Sequence, residues 1–129
     1  MMYTTLVDFR KNLISMHELP VTQSILKIAL EHAEKANAKR ITDLHIVQGE
    51  LSSMVDDSIQ FYWEIIAKDT IAQNATLHFR RVLAELQCMA CFQKYHPKDG
   101  ELVCPNCGSV GAKIVAGEEF FVEAIDIDE

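Results

Sequence analysis

The chain has 129 residues, 49% hydrophobic and 24% charged, and 12 Lys and Arg against 19 Asp and Glu leave a formal charge of −7. That length suits one domain with room for a small second module, and it buries a core without disulfide staples; five Gly and three Pro exclude collagen-like and Pro-rich structure. No run nears the roughly 18 apolar residues of a membrane span, Asp8 interrupts the opening before a signal-peptide core can form, and the acidic balance argues against wide contact with a phosphate backbone.

Residues 1–15 show no sustained helical or strand period and read as an N-terminal extension. From Pro20, residues Val21, Ile25, Ile28, Ala29, His32 and Ala36 fall on one helical stripe. Pro20 suits the first turn, and Glu18 just ahead favours the positive end of the helix dipole. Asn37, which tolerates the left-handed conformation, marks the end. Ile41 to Val47 alternates Thr42, Leu44 and Ile46 against Ile41, Asp43, His45 and Val47, a strand closed by Gly49. A second helix starts with Asp56 or Asp57 as cap and turns Ile59, Tyr62, Trp63, Ile66 and Ala67 inward. Thr70 to Asn74 is a loop, Ala75 to Val82 a second strand and Glu119 to Ile127 a third. The segment between the last two strands holds all four cysteines.

Those cysteines, Cys88, Cys91, Cys104 and Cys107, form two C-x-x-C pairs with twelve residues between the inner members. Each pair turns two thiolates toward one tetrahedral ion, and two pairs close a four-sulfur shell. Softness and geometry select zinc, although iron takes the same spacing. A closed shell leaves no position for substrate, so the ion is structural. Two disulfides are the plainer alternative, but no secretory signal precedes them and a cytoplasmic location keeps thiols reduced. Many zinc ribbons bind nucleic acid, yet between Cys88 and Cys107 Lys94 and Lys98 are balanced by Asp99 and Glu101. Six acidic residues and no basic one follow Ile114, which repels polyanions. Phe92 and Tyr95 read as the ribbon's own small core rather than as platforms for bases.

Met16-His17-Glu18 lies just before the first helix. Together with Gly49-Glu50-Leu51-Ser52 after the first strand, the second helix, the paired C-x-x-C ribbon and Val115-Ala116-Gly117-Glu118-Glu119 before the last strand, it closely resembles the HypA/HybF family of nickel metallochaperones. The resemblance runs from Met16 to about Ile127. It implies a protein that binds Ni(II) as cargo and delivers it to the large subunit of nickel-iron hydrogenase, with a structural Zn(II). Carried over residue by residue, His17 is the nickel ligand, Glu18 its neighbour, and Cys88, Cys91, Cys104 and Cys107 the zinc ligands. The family also works with a maturation GTPase of the HypB type, and some members serve urease maturation. Imidazole and deprotonated main-chain nitrogens give Ni(II) a nitrogen-rich square-planar environment, which suits the chelate that His17 and its own backbone offer. In that family the Met-His-Glu triplet opens the protein, whereas here 15 residues precede Met16. Either Met16 is the initiator or the site binds without a terminal amine; the expectation is a start at Met16, with residues 1–15 untranslated in the native protein.

The fold expected is α+β, two helices packed on a three-stranded mixed sheet with an inserted four-cysteine zinc ribbon. Residues 16–86 and 114–129 form the nickel-binding domain and 87–113 the ribbon. No nucleophile and base pair or Gly-rich phosphate loop is identifiable, so the protein is not expected to be an enzyme. The rival reading is a zinc-ribbon adaptor for nucleic acid or protein, which predicts zinc without nickel. Asp56 and Asp57 read as helix caps, His32 as a core residue, His45 and His78 as surface side chains, His96 as an exposed turn residue and Glu50 as a polar strand end. The location expected is cytoplasmic, with no membrane or nucleic-acid partner.

Overall fold

In the computed structural model, which describes residues 2–6, 18–54, 56–98 and 101–129, the chain runs β1 (Met2–Leu6), α1 (Glu18–Lys35), β2 (Arg40–Gly49), α2 (Asp56–Ile66), β3 (Thr76–Val82), β4 (Glu85–Cys88), β5 (Lys94–Tyr95), β6 (Ala112–Ala116) and β7 (Phe120–Asp128). One sheet has the order β1-β7-β2-β3 and a second the order β5-β4-β6. β7 is antiparallel to β1 and β2, while β2 and β3 are parallel, joined by the crossover through α2. This is the expected mixed α+β architecture with a small cysteine-bearing sheet inserted between β3 and β7. The three expected strands lie together as β7-β2-β3, and Met2–Leu6, which showed no strand period, adds a fourth beside β7. Such edge pairing depends on main-chain groups and needs no hydrophobic alternation. Among the described residues no helix is long and apolar enough to cross a membrane.

α1 begins at Glu18, two residues ahead of the expected Pro20, which the first turn accommodates. Thr22 donates its hydroxyl to the Glu18 carbonyl at 2.5 Å, which holds that turn. The helix ends as Asn37 suggested: its φ is 55°, its N–H donates to Glu34 O at 3.1 Å and that of Ala38 to Ala33 O at 2.9 Å. These two bonds are the paired bonds of a Schellman cap. Val21, Ile25, Ala29 and Ala33 of α1, with Ile59 and Trp63 of α2, close over Leu44, Ile46, Phe120, Val122 and Ile125. His32 and Ala36 are only half-buried, because the stripe drifts to Ala33 as the helix leaves the sheet. On α2, Ile59 and Trp63 are buried as expected, as is Ala67 just past its end, whereas Tyr62 and Ile66 lie at the half-buried margin. Gln48, 2% exposed, donates Nε2 to Met54 O at 2.8 Å and so ties the loop ahead of α2 to the sheet.

β2 departs from simple alternation. Its pairing with β7 shifts between Ile41 and Asp43 and again between His45 and Ile46. An extra residue at a bulge moves later side chains to the other face, so Ile41 joins Leu44 and Ile46 in the core instead of opposing them. The opposite face carries cross-strand ion pairs: Arg80 grips Glu123 with two bonds, Nη2 at 2.8 Å and Nε at 3.2 Å, and holds that carboxyl below its ordinary value.

Gly49 sits where the main sheet meets the inserted module. Its N–H donates to Glu119 O at 2.6 Å, and Leu51 N–H donates to Gly117 O at 2.7 Å. A Cβ at Gly49 would lie 2.1 Å from the Gly117 oxygen, and one at Gly117, where φ is 115°, would lie 2.7 Å from Ala84 Cα. These obstacles are backbone, so neither yields by a rotamer change. Gly49→Ala should therefore cost about 3 kcal/mol or more, measured by urea unfolding; a loss below about 1 kcal/mol would mean that the two turns are free to separate.

Candidate metal centre

The two C-x-x-C turns are built alike. Phe92 N–H donates to Cys88 O at 2.9 Å and Gly108 N–H to Cys104 O at 2.9 Å. The residue after each second cysteine is left-handed, φ 64° at Phe92 and 77° at Gly108. β4 leads into the first turn, and Met89 N–H donates to Gly111 O at 2.9 Å, which draws the start of β6 toward it. The second turn is closed by Cys104 N–H to Ser109 O at 2.8 Å. The ligand atoms of all four cysteines lie within 4.8 Å of one another, with Cys88 Sγ 3.5 Å from Cys107 Sγ and Cys91 Sγ 3.7 Å from Cys104 Sγ. A disulfide needs about 2.05 Å, so these are four separate thiols.

That spacing fits a tetrahedral ion. Zinc–sulfur bonds of about 2.3 Å place the sulfurs of a tetrahedron about 3.8 Å apart. Cys88 and Cys104 are buried, Cys91 is half-buried and Cys107 exposed, so the cluster sits at the edge of the ribbon. Ala90 and Cys91 N–H groups reach Cys88 Sγ at 3.4 and 3.5 Å, and Asn106 Nδ2 reaches Cys91 Sγ at 3.4 Å. These donors favour thiolate. The Cys91 and Ala90 N–H groups outweigh burial and pull the Cys88 thiol down to about 6. The Asn106 amide and the Gln93 N–H lower Cys91 as well. At Cys107 the Ser109 N–H acts in the lowering direction, but the neighbouring Cys88 sulfur, burial and the other two thiols push it up to about 12. A dication that binds the cluster would therefore displace the proton held at Cys107.

The ribbon core is small. Leu86, Cys88, Tyr95 and Cys104 are its buried members, with Cys91 and Ala112 against them. Tyr95 is a core residue, as expected, and its hydroxyl donates to Leu102 O at 2.6 Å. Phe92 is not: at 64% exposed, on a left-handed residue just after the first cysteine turn, it corrects the expectation of a second core aromatic.

Glu50 and His96 do more than their sequence positions suggested. Glu50 Oε1 accepts from Ala84 N–H at 2.8 Å, and His96 Nδ1 pairs with Ala84 O at 2.8 Å. Both main-chain groups of Ala84, the residue just before β4, are thereby fixed from opposite sides, one by the main domain and one by the ribbon. The Gly-Glu-Leu turn and the Ala-Gly-Glu-Glu turn, separate in sequence, form this junction. No single-residue signal in the sequence marks it.

The other candidates fall in different places. Met16 and His17 lie outside the described residues; Glu18 opens α1, half-buried. Asp56 and Asp57 occupy the first turn of α2, with Asp56 Oδ2 accepting from Arg81 Nη2 at 3.0 Å. His45 and His78 are in register on β2 and β3 and stack with ring centroids 5.0 Å apart and planes 13° from parallel. Each places Nε2 2.8 Å from a carboxylate, Asp126 for His45 and Asp43 for His78. The His78 contact holds the Asp43 carboxyl below its ordinary value. Lone pairs in two nearly parallel planes do not converge on one cation, so this is a pair of stacked rings, each hydrogen-bonded to its own carboxylate. Among the described residues the four cysteines form the one cluster with metal-holding geometry.

An α+β sheet with a four-cysteine cluster of metal-holding geometry inserted before its last strand defines a metal-binding protein. The chain belongs to the HypA family: the family model described as hydrogenase/urease nickel incorporation, metallochaperone, matches residues 16–127. Metallochaperones carry metal and are not enzymes. The hydrogenase maturation factor HypA of Dehalococcoides mccartyi strain 195 is 39% identical over 114 residues, 88% of this chain and 96% of that one. That of Caldanaerobacter subterraneus subsp. tengcongensis is 36% identical over 114 residues, 88% of this chain and all of its own. The solution structure of the Ni metallochaperone HypA from Helicobacter pylori superposes with a TM-score of 0.64 at 26% identity, covering 88% of this chain and 98% of that one.

Proposed function

We propose that His17 carries Ni(II) as transferable cargo, with Glu18 beside it, while Cys88, Cys91, Cys104 and Cys107 hold a structural Zn(II). The observation that carries the nickel half is that the family match opens at residue 16, on the Met16-His17-Glu18 triplet itself. The convergence of the four sulfurs supports the zinc half. Bound zinc would cross-link the two turns and supply no open position for chemistry. In this reading the unit that carries nickel comprises residues 16–86 and 114–129 and the ribbon residues 87–113, although β4 and β6 of the ribbon sheet run past those bounds to Glu85 and Ala116. Residues 1–15 are an N-terminal extension whose Met2–Leu6 strand joins the main sheet. The recipient is the large subunit of nickel-iron hydrogenase; a maturation GTPase of the HypB type and urease maturation proteins are the further partners this reading admits, in the cytoplasm.

The test is metal stoichiometry followed by transfer. Elemental analysis after exposure to nickel should give one Ni and one Zn per chain, and mixing with purified large-subunit precursor should move nickel alone. Zinc without nickel, with salt-sensitive binding of DNA or RNA, would replace this reading with that of a nucleic-acid adaptor.

A further inference from the structure

The two cysteine turns share one backbone geometry but carry different residues between and after their cysteines, Met89, Ala90 and Phe92 against Pro105, Asn106 and Gly108. Both carry the N–H to carbonyl bond of 2.9 Å and the left-handed φ after the second cysteine. In the second turn that position is Gly108, where a side chain would meet nothing within 4 Å. In the first it is Phe92, a bulky residue for which positive φ is sterically costly. Packing does not offset that cost, since Phe92 is 64% exposed, and Met89 on the same turn is 53% exposed.

The turn itself accounts for the positive φ, with Phe92 N–H on Cys88 O and Phe92 O accepting from Gln87 Nε2. What stays unexplained is a bulky side chain kept at such a position although it is exposed, and that points to a contact made elsewhere. Its surroundings describe the partner. Gln87, whose Nε2 donates to Phe92 O at 3.1 Å, pairs across the ribbon sheet with Lys94 on one side and Lys113 on the other. Directly opposed residues share a face, so two exposed lysines flank Gln87 beside the aromatic tip. Two lysines are few for a polyanion when the chain carries −7 overall. The Phe92 and Met89 surface is also on the order of 200 Å², far below the roughly 800 Å² per partner of a stable dimer. A small apolar tip with a basic shoulder suits a brief heterologous contact.

Resting on the metallochaperone reading, we propose that Phe92, with Met89, is an anchor that enters an apolar, acid-rimmed cleft on the protein receiving the nickel, with Lys94 and Lys113 facing its carboxylates. Phe92→Gly on the full zinc-loaded chain separates this from a structural role, because glycine relieves the backbone while removing the anchor. The expected result has two opposite signs: a melting temperature equal to or above that of the unaltered chain, and affinity for purified hydrogenase large-subunit precursor reduced at least about tenfold. Phe92→Tyr, which keeps the ring, should bind within about threefold of the original.

Loss of zinc or a lower melting temperature in Phe92→Gly would make Phe92 structural and overturn the proposal, as would undiminished binding. A dimer in sedimentation that Phe92→Gly dissolves would make the occupant a second copy, and salt-sensitive RNA or DNA binding lost in the variant would make it a base; either overturns the choice of partner. Failure of the unaltered chain to bind the precursor would instead count against the client in the functional reading, and the anchor would fall with it.

Discussion

Cys104→Ser should reduce zinc from one per chain to none and unfold residues 87–113, while the main sheet still melts cooperatively. The two cores are separate: the large one spans α1, α2 and the long sheet, and the ribbon's buried set is Leu86, Cys88, Tyr95 and Cys104, two of which are ligands. Ordering a residue costs about 1.5 kcal/mol in conformational entropy, and so small an apolar cluster cannot offset that over the whole insertion. Structural zinc contributes apparent free energies of about 10–16 kcal/mol in small peptides. Metal analysis and amide exchange by residue check the outcome, with β2 and β7 protected and the ribbon exchanging at unfolded rates. Zinc retained at one per chain in this variant would move the metal off the thiolates.

His17→Ala should lower nickel affinity more than the roughly 10–100-fold typical of losing an outer-shell partner, with zinc content and melting temperature unchanged. The imidazole is the one strong neutral donor in the Met16-His17-Glu18 triplet. Proton competition follows from the same assignment. Below the ordinary imidazole value of about 6.5 the ring protonates, so nickel affinity of the unaltered chain should fall on acidification through that range. Calorimetric titration of the zinc-loaded chain at several pH values measures both effects. One tight Ni(II) per chain in the alanine variant would place the ligand elsewhere.

Local chemistry made much of the fold legible. Asn37 marked its helix end because few residues adopt the left-handed cap, and Trp63 and Ile59 marked a buried helix face by spacing alone. The cysteine pattern was legible because metal geometry fixes both residue type and interval. What escaped depended on tertiary pairing. The β2 bulges are set by β7, which lies far along the chain, and β1 is held by main-chain bonds that leave no side-chain period. The contacts of Glu50 and His96 with Ala84 join distant segments, and neither residue type announces such a contact. Phe92 was misread for another reason. Its type suggested core, whereas comparing Cys91-Phe92 with Cys107-Gly108 would have revealed a position that a zinc turn reserves for positive φ.

The placement of β7 bears on the order of assembly. This strand is last in the chain, yet it lies between β1 and β2, so the main sheet stays incomplete until the whole insertion has been made. Bringing β7 to β2 closes a loop over residues 83–119, at an entropic cost that grows with the logarithm of loop length. Once Cys88 and Cys91 are bridged to Cys104 and Cys107, the free length of that loop shrinks to the few residues on either side of the ribbon, saving on the order of 1 kcal/mol. A metal held by the four cysteines, remote from the main core, would thereby favour the docking of that core's central strand.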